Sequence, residues 1–334
     1  MGWPNIGRVN NEYPQTVAVE TTSRCNAKCT FCPNSSLSRD KAHMSDEIFE
    51  KVIEDCRRFP LEHIEPFLNG EPFSDPKLMD RLELIRSRLP RTRLKLYTNG
   101  YALTPARTDQ LQEIGVDEIF ISLNTLDPEE YQAVMGLKLE RTLDNLRYLA
   151  DPVRRDRVAR RITVRMTRLH RTTVARQEAF RDFCRSLGVR CFIVGLFNYK
   201  GDVHSPLPIP GYPCEHLTRL DVLSNGRVTL CCMDQEGEYA WGDVTRQSVL
   251  EIHNGVVARR YRAMHRGGKR SQIAPCGSCN LFWPSLDHMP LLDTVKFAVA
   301  AGLYFLHHRP RGIRPPISSP PTDAPTDTPA PAAS

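Results

Sequence analysis

Residues 16–35 read TVAVETTSRCNAKCTFCPNS, a β-rich run followed directly by a loop with three cysteines. The first five residues predict a strand, and Cys25, Cys29 and Cys32 follow it with C-x3-C-x2-C spacing. A structural zinc ion needs four protein ligands, and the nearest further Cys or His, His43, lies eleven residues on. Three thiolates suit a four-iron cluster that keeps one iron open. The stretch therefore predicts a metal site at the end of the first strand.

Strand and helix patterns alternate from this stretch to about residue 198. Ser45, Thr104 and Asp127 are predicted helix N-caps. The predicted strands are Thr16–Glu20, His63–Leu68, Arg93–Thr98, Glu118–Leu123, Arg161–Thr167 and Cys191–Phe197. Such alternation implies right-handed βαβ units and a parallel sheet, with ligands at the carboxyl ends of the strands. Six strands predict an α/β fold that is either an open doubly wound sheet or an incomplete barrel.

The pattern changes after about residue 200. Ser205–Pro213 contains four prolines and predicts a linker. Arg219–Ser224 and Arg227–Met233 flank Asn225-Gly226, which predicts a hairpin with a type I′ turn. One helix is predicted over Gln247–Met264. The last 25 residues hold eight of the 26 prolines and predict a disordered tail.

A second group of cysteines lies in this part of the chain. Cys214 and Cys231 flank Gly226 in a C-x11-G-x4-C pattern, and Cys276 and Cys279 add C-x2-C. Four thiolates from three segments suit either a closed tetrahedral zinc site or a fully ligated iron–sulfur cluster. Cys232 competes with Cys231, but strand alternation predicts opposite faces for the two, and the glycine spacing favours Cys231.

Composition and charge exclude several classes of protein. The chain has 334 residues, of which 40% are hydrophobic and 25% charged, as in a globular protein. Its longest apolar run has ten residues, whereas a membrane span needs roughly twenty. The N-terminus lacks the basic and apolar regions of a secretory signal. We therefore expect a cytoplasmic protein without a membrane span, in which the eleven cysteines are metal ligands or redox groups rather than disulfides.

Ten arginines lie between Arg154 and Arg181, while the formal net charge of the chain is only +6. Such a stretch is typical of a solvated helix face, and no RNA-recognition signature accompanies it. We therefore expect no nucleic-acid partner. A zinc-binding, arginine-rich nucleic-acid module is the non-enzyme alternative.

The first cysteine motif also has an aromatic residue, Phe31, directly before Cys32. Asn69, Gly70, Glu71 and Pro72 follow the second predicted strand. Together these segments resemble the radical S-adenosylmethionine (SAM) enzymes, with Asn69 in place of the first glycine of the Gly-Gly-Glu motif of that family. The resemblance covers roughly residues 14–200. It implies a partial (β/α)6 barrel and a 4Fe–4S cluster whose open iron binds SAM.

The resemblance also implies where SAM is held. The backbone around Gly70–Pro72 would meet its methionine amino group, and Ser122 and Asn124 would meet its ribose or carboxylate. Arg165 is a candidate partner for the carboxylate, because a guanidinium forms bidentate hydrogen bonds. Val194 and the glycine after it would let the backbone approach the adenine. The reduced cluster would then cleave SAM to a 5′-deoxyadenosyl radical, which abstracts hydrogen from the substrate.

The second cysteine group resembles the auxiliary-cluster extension of the family, called SPASM. No cysteine follows Cys279, so the shortened twitch form with a single auxiliary 4Fe–4S cluster is implied. Cys214, Cys231, Cys276 and Cys279 would ligate it fully, which leaves it an electronic role. A radical formed beside a hydroxyl, once deprotonated, could pass the cluster an electron and become a ketone. An external donor such as flavodoxin or ferredoxin would supply electrons to the enzyme.

Relatives with one auxiliary cluster include dehydrogenases and epimerases of aminocyclitols and sugars, among them enzymes of antibiotic biosynthesis. Polar residues at the predicted strand ends favour a small polyhydroxylated substrate of this kind: Glu20, Asn69, Asn99, Asn124 and Asn198. In an epimerase, Cys232 is the candidate hydrogen donor, whereas Cys184 and Cys191 are expected to pack structurally. The alternative is a peptide-modifying enzyme. Only about fifteen residues precede the first strand, which weighs against a leader-recognition domain.

The predicted organisation has five parts. These are an N-terminal extension (1–14), a radical SAM core (15–204), an auxiliary-cluster domain (205–290), a C-terminal helix (291–309) and a proline-rich tail (310–334).

Overall fold

The computed structural model describes residues 12–169, 172–205, 209 and 214–281. Nine strands in these residues form one sheet: β1 (Thr16–Val19), β2 (His63–Glu65), β3 (Arg93–Thr98), β4 (Val116–Ser122), β5 (Ala159–Arg168), β6 (Arg190–Gly195), β7 (Arg219–Val222), β8 (Arg227–Thr229) and β9 (Gly242–Asp243). Their order is β6-β5-β4-β3-β2-β1-β7-β8-β9. All neighbours from β6 to β7 are parallel, and β7, β8 and β9 are antiparallel. The sheet does not close, so the predicted α/β partial barrel is confirmed.

The predicted hairpin does not stand apart from the parallel sheet. Strand β7 pairs in parallel with β1 along its whole length, from Thr16 opposite Arg219 to Val19 opposite Val222. The sheet therefore crosses the predicted boundary between the core and the auxiliary domain. The sequence pattern could not reveal this pairing because the two strands are about 200 residues apart.

Helices cover the sheet. In the described residues they are α1 (Asp46–Cys56), α2 (Leu78–Arg88), α3 (Pro105–Ile114), α4 (Pro128–Met135), α5 (Leu139–Leu149), α6 (Pro152–Val158), α7 (Val174–Ser186), α8 (Val249–His253), α9 (Val256–Arg266) and α10 (Ala274–Gly277). Ser45, Thr104 and Asp127 cap three of them, and each side chain accepts a hydrogen bond from the backbone N–H three residues on. These three predicted caps are confirmed.

Two local predictions were wrong. The single helix expected over Gln247–Met264 is two helices, α8 and α9, because the extended backbone of Gly255 (φ −61°, ψ 159°) breaks the pattern and starts α9. The hairpin turn is also not type I′. Only Gly226 has a positive φ (88°), and the N–H of Leu223 bonds to the carbonyl of Arg227 at 2.8 Å. The loop therefore has three residues, with glycine at its left-handed position.

Several predicted segments lie outside the described residues. They are most of the N-terminal extension, most of the proline-rich linker, the C-terminal helix and the tail. Among the described residues, no helix has both the length and the apolar character that crossing a membrane requires.

Candidate cofactor and substrate site

The first cysteine loop leaves the carboxyl end of β1. Cys25, Cys29 and Cys32 are half-buried there and form no disulfide. Burial, followed by the charge of nearby groups, raises the pKa of Cys25 and of Cys29 to about 12. After burial, the charges of Cys32 and Cys25 have the largest effects on the pKa of Cys29, so the three sulfurs lie close together. Thiols crowded in this way are stable as thiolates only beside a cation, and this donor set fits an iron–sulfur cluster with one open iron.

The segment Asn69–Pro72 packs directly against this loop. A Cβ atom on Gly70 would lie 2.2 Å from the carbonyl oxygen of Thr22 and 2.7 Å from that of Arg24. The N–H of Glu71 donates to the same Arg24 oxygen at 2.9 Å. Glycine is therefore required at position 70 for steric reasons, since it brings the two segments into contact.

The carboxylate of Glu71 is part of the internal structure. It is buried and accepts hydrogen bonds from Thr98 Oγ1 at 2.6 Å, the N–H of Asn99 at 2.7 Å and the N–H of Phe73 at 3.3 Å. Burial raises its pKa to about 7, although the three hydrogen bonds oppose this shift. The side chain thus braces the end of β3 against the loop, while the backbone of this segment remains the predicted contact for SAM.

This carboxyl group predicts a pH dependence of stability. Because the pKa of Glu71 is higher in the folded state than in the unfolded state, its contribution to stability is complete below about pH 4.5 and is lost as the pH rises to about 7. Relative to a Glu71→Gln variant, the free energy of unfolding of the cluster-free protein should fall by up to about 3 kcal/mol over that window. Urea titrations at several pH values measure this difference. The exposed variant Glu47→Gln is the control, and parallel curves for Glu71→Gln and the unmodified chain would contradict the prediction.

The other predicted SAM contacts lie on the same edge of the sheet. Ser122 is half-buried at the end of β4, and Val194 is buried on β6. Asn124 has a positive φ of 65°, and its side chain bridges the N–H of Thr167 and the sulfur of Met135. Its amide is therefore already engaged within the protein.

Three further predicted residues differ in their surroundings. Arg165 is half-buried on β5, with its guanidinium 5.9 Å from the centre of the Phe192 ring. Asn69 donates to Glu20 at 2.9 Å, and its buried side-chain oxygen has no hydrogen-bond partner among the described residues. Phe31 is half-buried and packs on the core. The roles of these residues toward SAM remain predictions.

The second group of thiols lines one cavity. Cys214, Cys231, Cys276 and Cys279 all face it, whereas Cys232 does not. Burial and the neighbouring thiols raise the pKa of Cys231, as expected for a site that a metal would neutralise. These four sulfurs fit a fully ligated iron–sulfur cluster. The alternation argument for Cys231 does not apply, because β8 ends at Thr229 and both cysteines lie in the following turn.

Buried polar side chains hold this cavity in shape. The guanidinium of Arg270 is buried and donates to the carbonyls of Cys276 at 3.3 Å, Cys279 at 2.8 Å and Leu281 at 3.0 Å. On α9, His265 accepts the N–H of Cys214 at 3.1 Å through Nδ1. Burial and then the charge of Arg270 lower the pKa of His265 to about 3, so it is a neutral acceptor. The backbone of three of the four cysteines is therefore fixed before a metal binds.

Tyr199 lies between the two groups of cysteines. Its side chain forms a hydrogen bond with Cys32, and its ring packs against the cluster of Cys214, Cys279 and their apolar neighbours. Charges on both Cys32 and Cys232 add to burial in raising its pKa. Tyr199 has φ 46°, an uncommon left-handed conformation for an aromatic residue and one typical of functional sites. Both groups of cysteines thus have a neighbour in common, the side chain of Tyr199.

Buried charged side chains of β2 and β7 meet near Cys232. Arg219 forms ion pairs with Glu65 at 2.8 Å and with Asp221 at 2.7 Å. Asp221 is 1% exposed, and the N–H of Cys232 lies near its carboxylate. Among the described residues, its Oδ2 forms no hydrogen bond of good geometry. One donor atom each of His216, Asp221 and Cys232 lies within 4.8 Å of the others. A buried carboxylate oxygen without a partner is costly, so it marks a place for a ligand that donates a hydrogen bond.

Sequence reasoning missed Tyr199, His216, Arg219 and Asp221. A signal for two of them was present, since Arg219 and Asp221 alternate with Leu220 and Val222 on a predicted strand. Tyr199 and His216 lie in irregular segments after β6 and before β7, where no pattern indicates which residues meet.

Two protein-family models match this chain, and each match includes one of the two groups of cysteines. Residues 19–170 match the Radical SAM superfamily, and residues 214–280 match SPASM, described as an iron–sulfur cluster-binding domain. The first range includes the C-x3-C-x2-C loop, and the second includes all four cysteines of the cavity. The predicted cofactors, SAM and 4Fe–4S clusters, are therefore confirmed.

Curated relatives match part of the chain. A cofactor-modifying protein for tungsten-containing aldehyde ferredoxin oxidoreductase from Pyrococcus furiosus is 31% identical over 119 residues, 35% of this chain and 33% of that protein. A PqqA peptide cyclase from Streptomyces rochei is 30% identical over 127 residues (38% and 34%). A SAM-dependent 2-deoxy-scyllo-inosamine dehydrogenase from Niallia circulans is 27% identical over 120 residues (35% and 48%). The matches thus span between a third and a half of these relatives.

Solved structures match more of the chain. BtrN in complex with AdoMet and 2-DOIA superposes with a TM-score of 0.59 at 20% identity, covering 82% of this chain and 95% of BtrN. SuiB from Streptococcus suis, bound to its precursor peptide SuiA, gives 0.64 at 13% identity, covering 81% and 70%. At these identities the two structures show the same fold.

Proposed function

We propose that this chain, which is a radical SAM enzyme with a SPASM domain, acts on a hydroxyl-bearing carbon of an aminocyclitol, aminoglycoside or sugar. The observation that carries the proposal is the buried pair Arg219–Asp221, which lies beside Cys232. Oδ2 of Asp221 suits the O–H and N–H groups of a small polar substrate better than an apolar peptide side chain. The relative from Niallia circulans, named a 2-deoxy-scyllo-inosamine dehydrogenase, supports the same substrate class.

When bound, SAM and the two clusters supply hydrogen-atom abstraction and a one-electron acceptor. The side chains of this protein bind and orient the substrate. Asp221 Oδ2 accepts the hydrogen bond of the reacting hydroxyl, and Arg219 fixes the orientation of this carboxylate. Glu65, held by the same guanidinium and 3.4 Å from the hydroxyl of Tyr97, offers a second acceptor for a neighbouring hydroxyl or amine. The ring of Tyr199 packs against the apolar residues around Cys214 and Cys279.

Substrate-dependent formation of 5′-deoxyadenosine tests the proposal. The reconstituted enzyme is incubated with reductant, SAM and deuterium-labelled aminocyclitols or sugars. Label should appear in 5′-deoxyadenosine, and a ketone or an epimer should accumulate. Asp221→Asn should retain both clusters and SAM binding but lose most of the label transfer. Label transfer from peptides alone would contradict the proposal.

Cys232 decides between oxidation and epimerisation in this scheme. Its half-buried thiol lies 3.7 Å from Nδ1 of His216 and near the free oxygen of Asp221. A thiol in this position can return a hydrogen atom to the substrate carbon. If the product is an epimer, Cys232→Ala should divert it to the ketone, and solvent deuterium should enter the product only when Cys232 is present. An unchanged epimer yield would exclude Cys232 as the donor.

Modification of a peptide side chain is the second candidate function. The relative named PqqA peptide cyclase favours it, since that protein matches over 38% of this chain. Incubating the enzyme with peptides and with sugars under the same conditions separates the two candidates by which substrate accelerates SAM cleavage.

A further inference from the structure

One short segment carries a charge as large as that of the whole chain. Residues 252–281 contain six basic side chains and no acidic one, whereas the formal net charge of all 334 residues is +6. The basic residues are Arg259, Arg260, Arg262, Arg266, Lys269 and Arg270. The segment comprises α9 and the loop that leads into the cysteines of α10. Its positive charge is therefore concentrated beside the auxiliary cofactor site.

The two faces of α9 have different environments. Ala258, Arg262 and His265 are buried, and His265 contacts the backbone of the predicted ligand Cys214. Arg259 and Arg260 are exposed on the outer side, as is Lys269 in the loop after the helix. Since a helix with its side chains is about 10 Å thick, the exposed charges lie within roughly one helix diameter of the thiol-lined cavity.

The exposed charges are not neutralised by the protein. Among the residues that the structure describes, Arg259, Arg260 and Lys269 form no ion pair. Burial, followed by the like charges of Arg266 and Arg259, lowers the pKa of Arg262. A surface of this kind attracts an acidic partner and accelerates its association.

Two exposed apolar residues adjoin the charges. Val256 is 75% exposed and Val257 46%, both in the first turn of α9. Small apolar contacts surrounded by charge are typical of transient protein interfaces. The aromatic residue of the helix, Tyr261, packs against Trp241 rather than presenting a ring on which a nucleic-acid base could stack. The surface therefore favours an acidic protein over RNA.

We propose that the outer face of α9 and the following loop, residues 256–269, dock an acidic one-electron carrier of the flavodoxin or ferredoxin class. The inference rests on the electronic role proposed above for the group held by Cys214, Cys231, Cys276 and Cys279. Docking here would bring the oxidised carrier next to that group. The group would lose the one electron that it had taken from the substrate radical, and the carrier would be reduced by that electron. Binding requires neither substrate nor SAM, so docking can be tested independently of the reaction.

The test measures binding of purified acidic flavodoxin and [2Fe–2S] ferredoxin to the reconstituted full-length chain. At about 25 mM salt, the triple variant Arg259→Glu, Arg260→Glu, Lys269→Glu should bind at least one of these carriers about tenfold more weakly. The matched control Arg58→Glu, Arg91→Glu, Arg157→Glu changes the net charge equally at exposed sites elsewhere and should bind normally. Circular dichroism and iron content verify that both variants are folded.

Salt dependence gives a second measurement that needs no variant. The Kd of the unmodified enzyme for the carrier should rise about tenfold between about 25 and 200 mM salt. Absence of carrier binding, or equal weakening in the control variant, would overturn the proposal. So would loss of binding to a short RNA in the triple variant without loss of binding to either carrier. Failure of sugar oxidation with intact carrier binding would count against the proposed reaction alone.

Discussion

Gly70→Ala is expected to prevent assembly of the SAM-binding cluster. The added methyl group would lie 2.2 Å from the carbonyl oxygen of Thr22, a distance that no Cβ tolerates. Because that oxygen belongs to the backbone, the loop with Cys25, Cys29 and Cys32 must move. We expect a loss of about 3 kcal/mol in the free energy of unfolding. Iron content after reconstitution should fall from about eight to about four atoms per chain, and SAM cleavage should cease.

The matched control is Gly267→Ala, at the end of α9. Its added Cβ would lie 3.4 Å from the carbonyl of Ala263, an ordinary contact, and the backbone there has a negative φ. That variant should keep its full iron content. If Gly70→Ala also incorporates about eight iron atoms and cleaves SAM at the original rate, the inferred contact between the two segments is wrong.

We expect Cys231→Ala to lose one iron–sulfur cluster and Cys232→Ala to lose none, although the two residues are adjacent. Cys231 faces the cavity with the other three thiols, whereas Cys232 faces Asp221 and His216. Removing Cys231 should reduce the iron content by about four atoms per chain and abolish product formation, while SAM is still cleaved. Removing Cys232 should leave the iron content unchanged.

Iron analysis and electron paramagnetic resonance of the reduced protein measure this difference, because each cluster contributes its own signal. Cys184→Ala, at a buried position of α7, is a control for the general effect of losing a thiol. An equal loss of iron in both adjacent variants would mean that each thiol binds metal. Loss only in Cys232→Ala would reverse the assignment.

The cofactor sites were accessible from sequence because their ligands are close together along the chain. Cys25, Cys29 and Cys32 span eight residues, and Cys276 and Cys279 span four, so their spacing alone carries chemical meaning. The strand–helix alternation likewise follows from local periodicity. For the same reason, the α/β class and the position of the first loop could be predicted.

The proposed substrate site could not be predicted because its residues are distant in sequence. Glu65 on β2 and Arg219 on β7 are 154 positions apart in the chain. They meet because β2 and β7 lie on either side of β1 in the sheet. Glu20 shows the same limit. It was predicted as a substrate contact, yet its carboxylate is fully buried and engaged by Arg39, Asn69 and the N–H of Ser224. Only the folded arrangement shows that this side chain ties three segments together.

The pairing of β7 with β1 has a consequence for dividing this protein. A fragment that stops near residue 204 would expose the backbone donors and acceptors of β1 along one side. Unsatisfied strand edges recruit other chains, so such a truncation should form aggregates rather than a smaller soluble enzyme. The parts of the chain before and after residue 204 are therefore structurally interdependent. Neither could be exchanged as a module without rebuilding the pairing of β1 with β7.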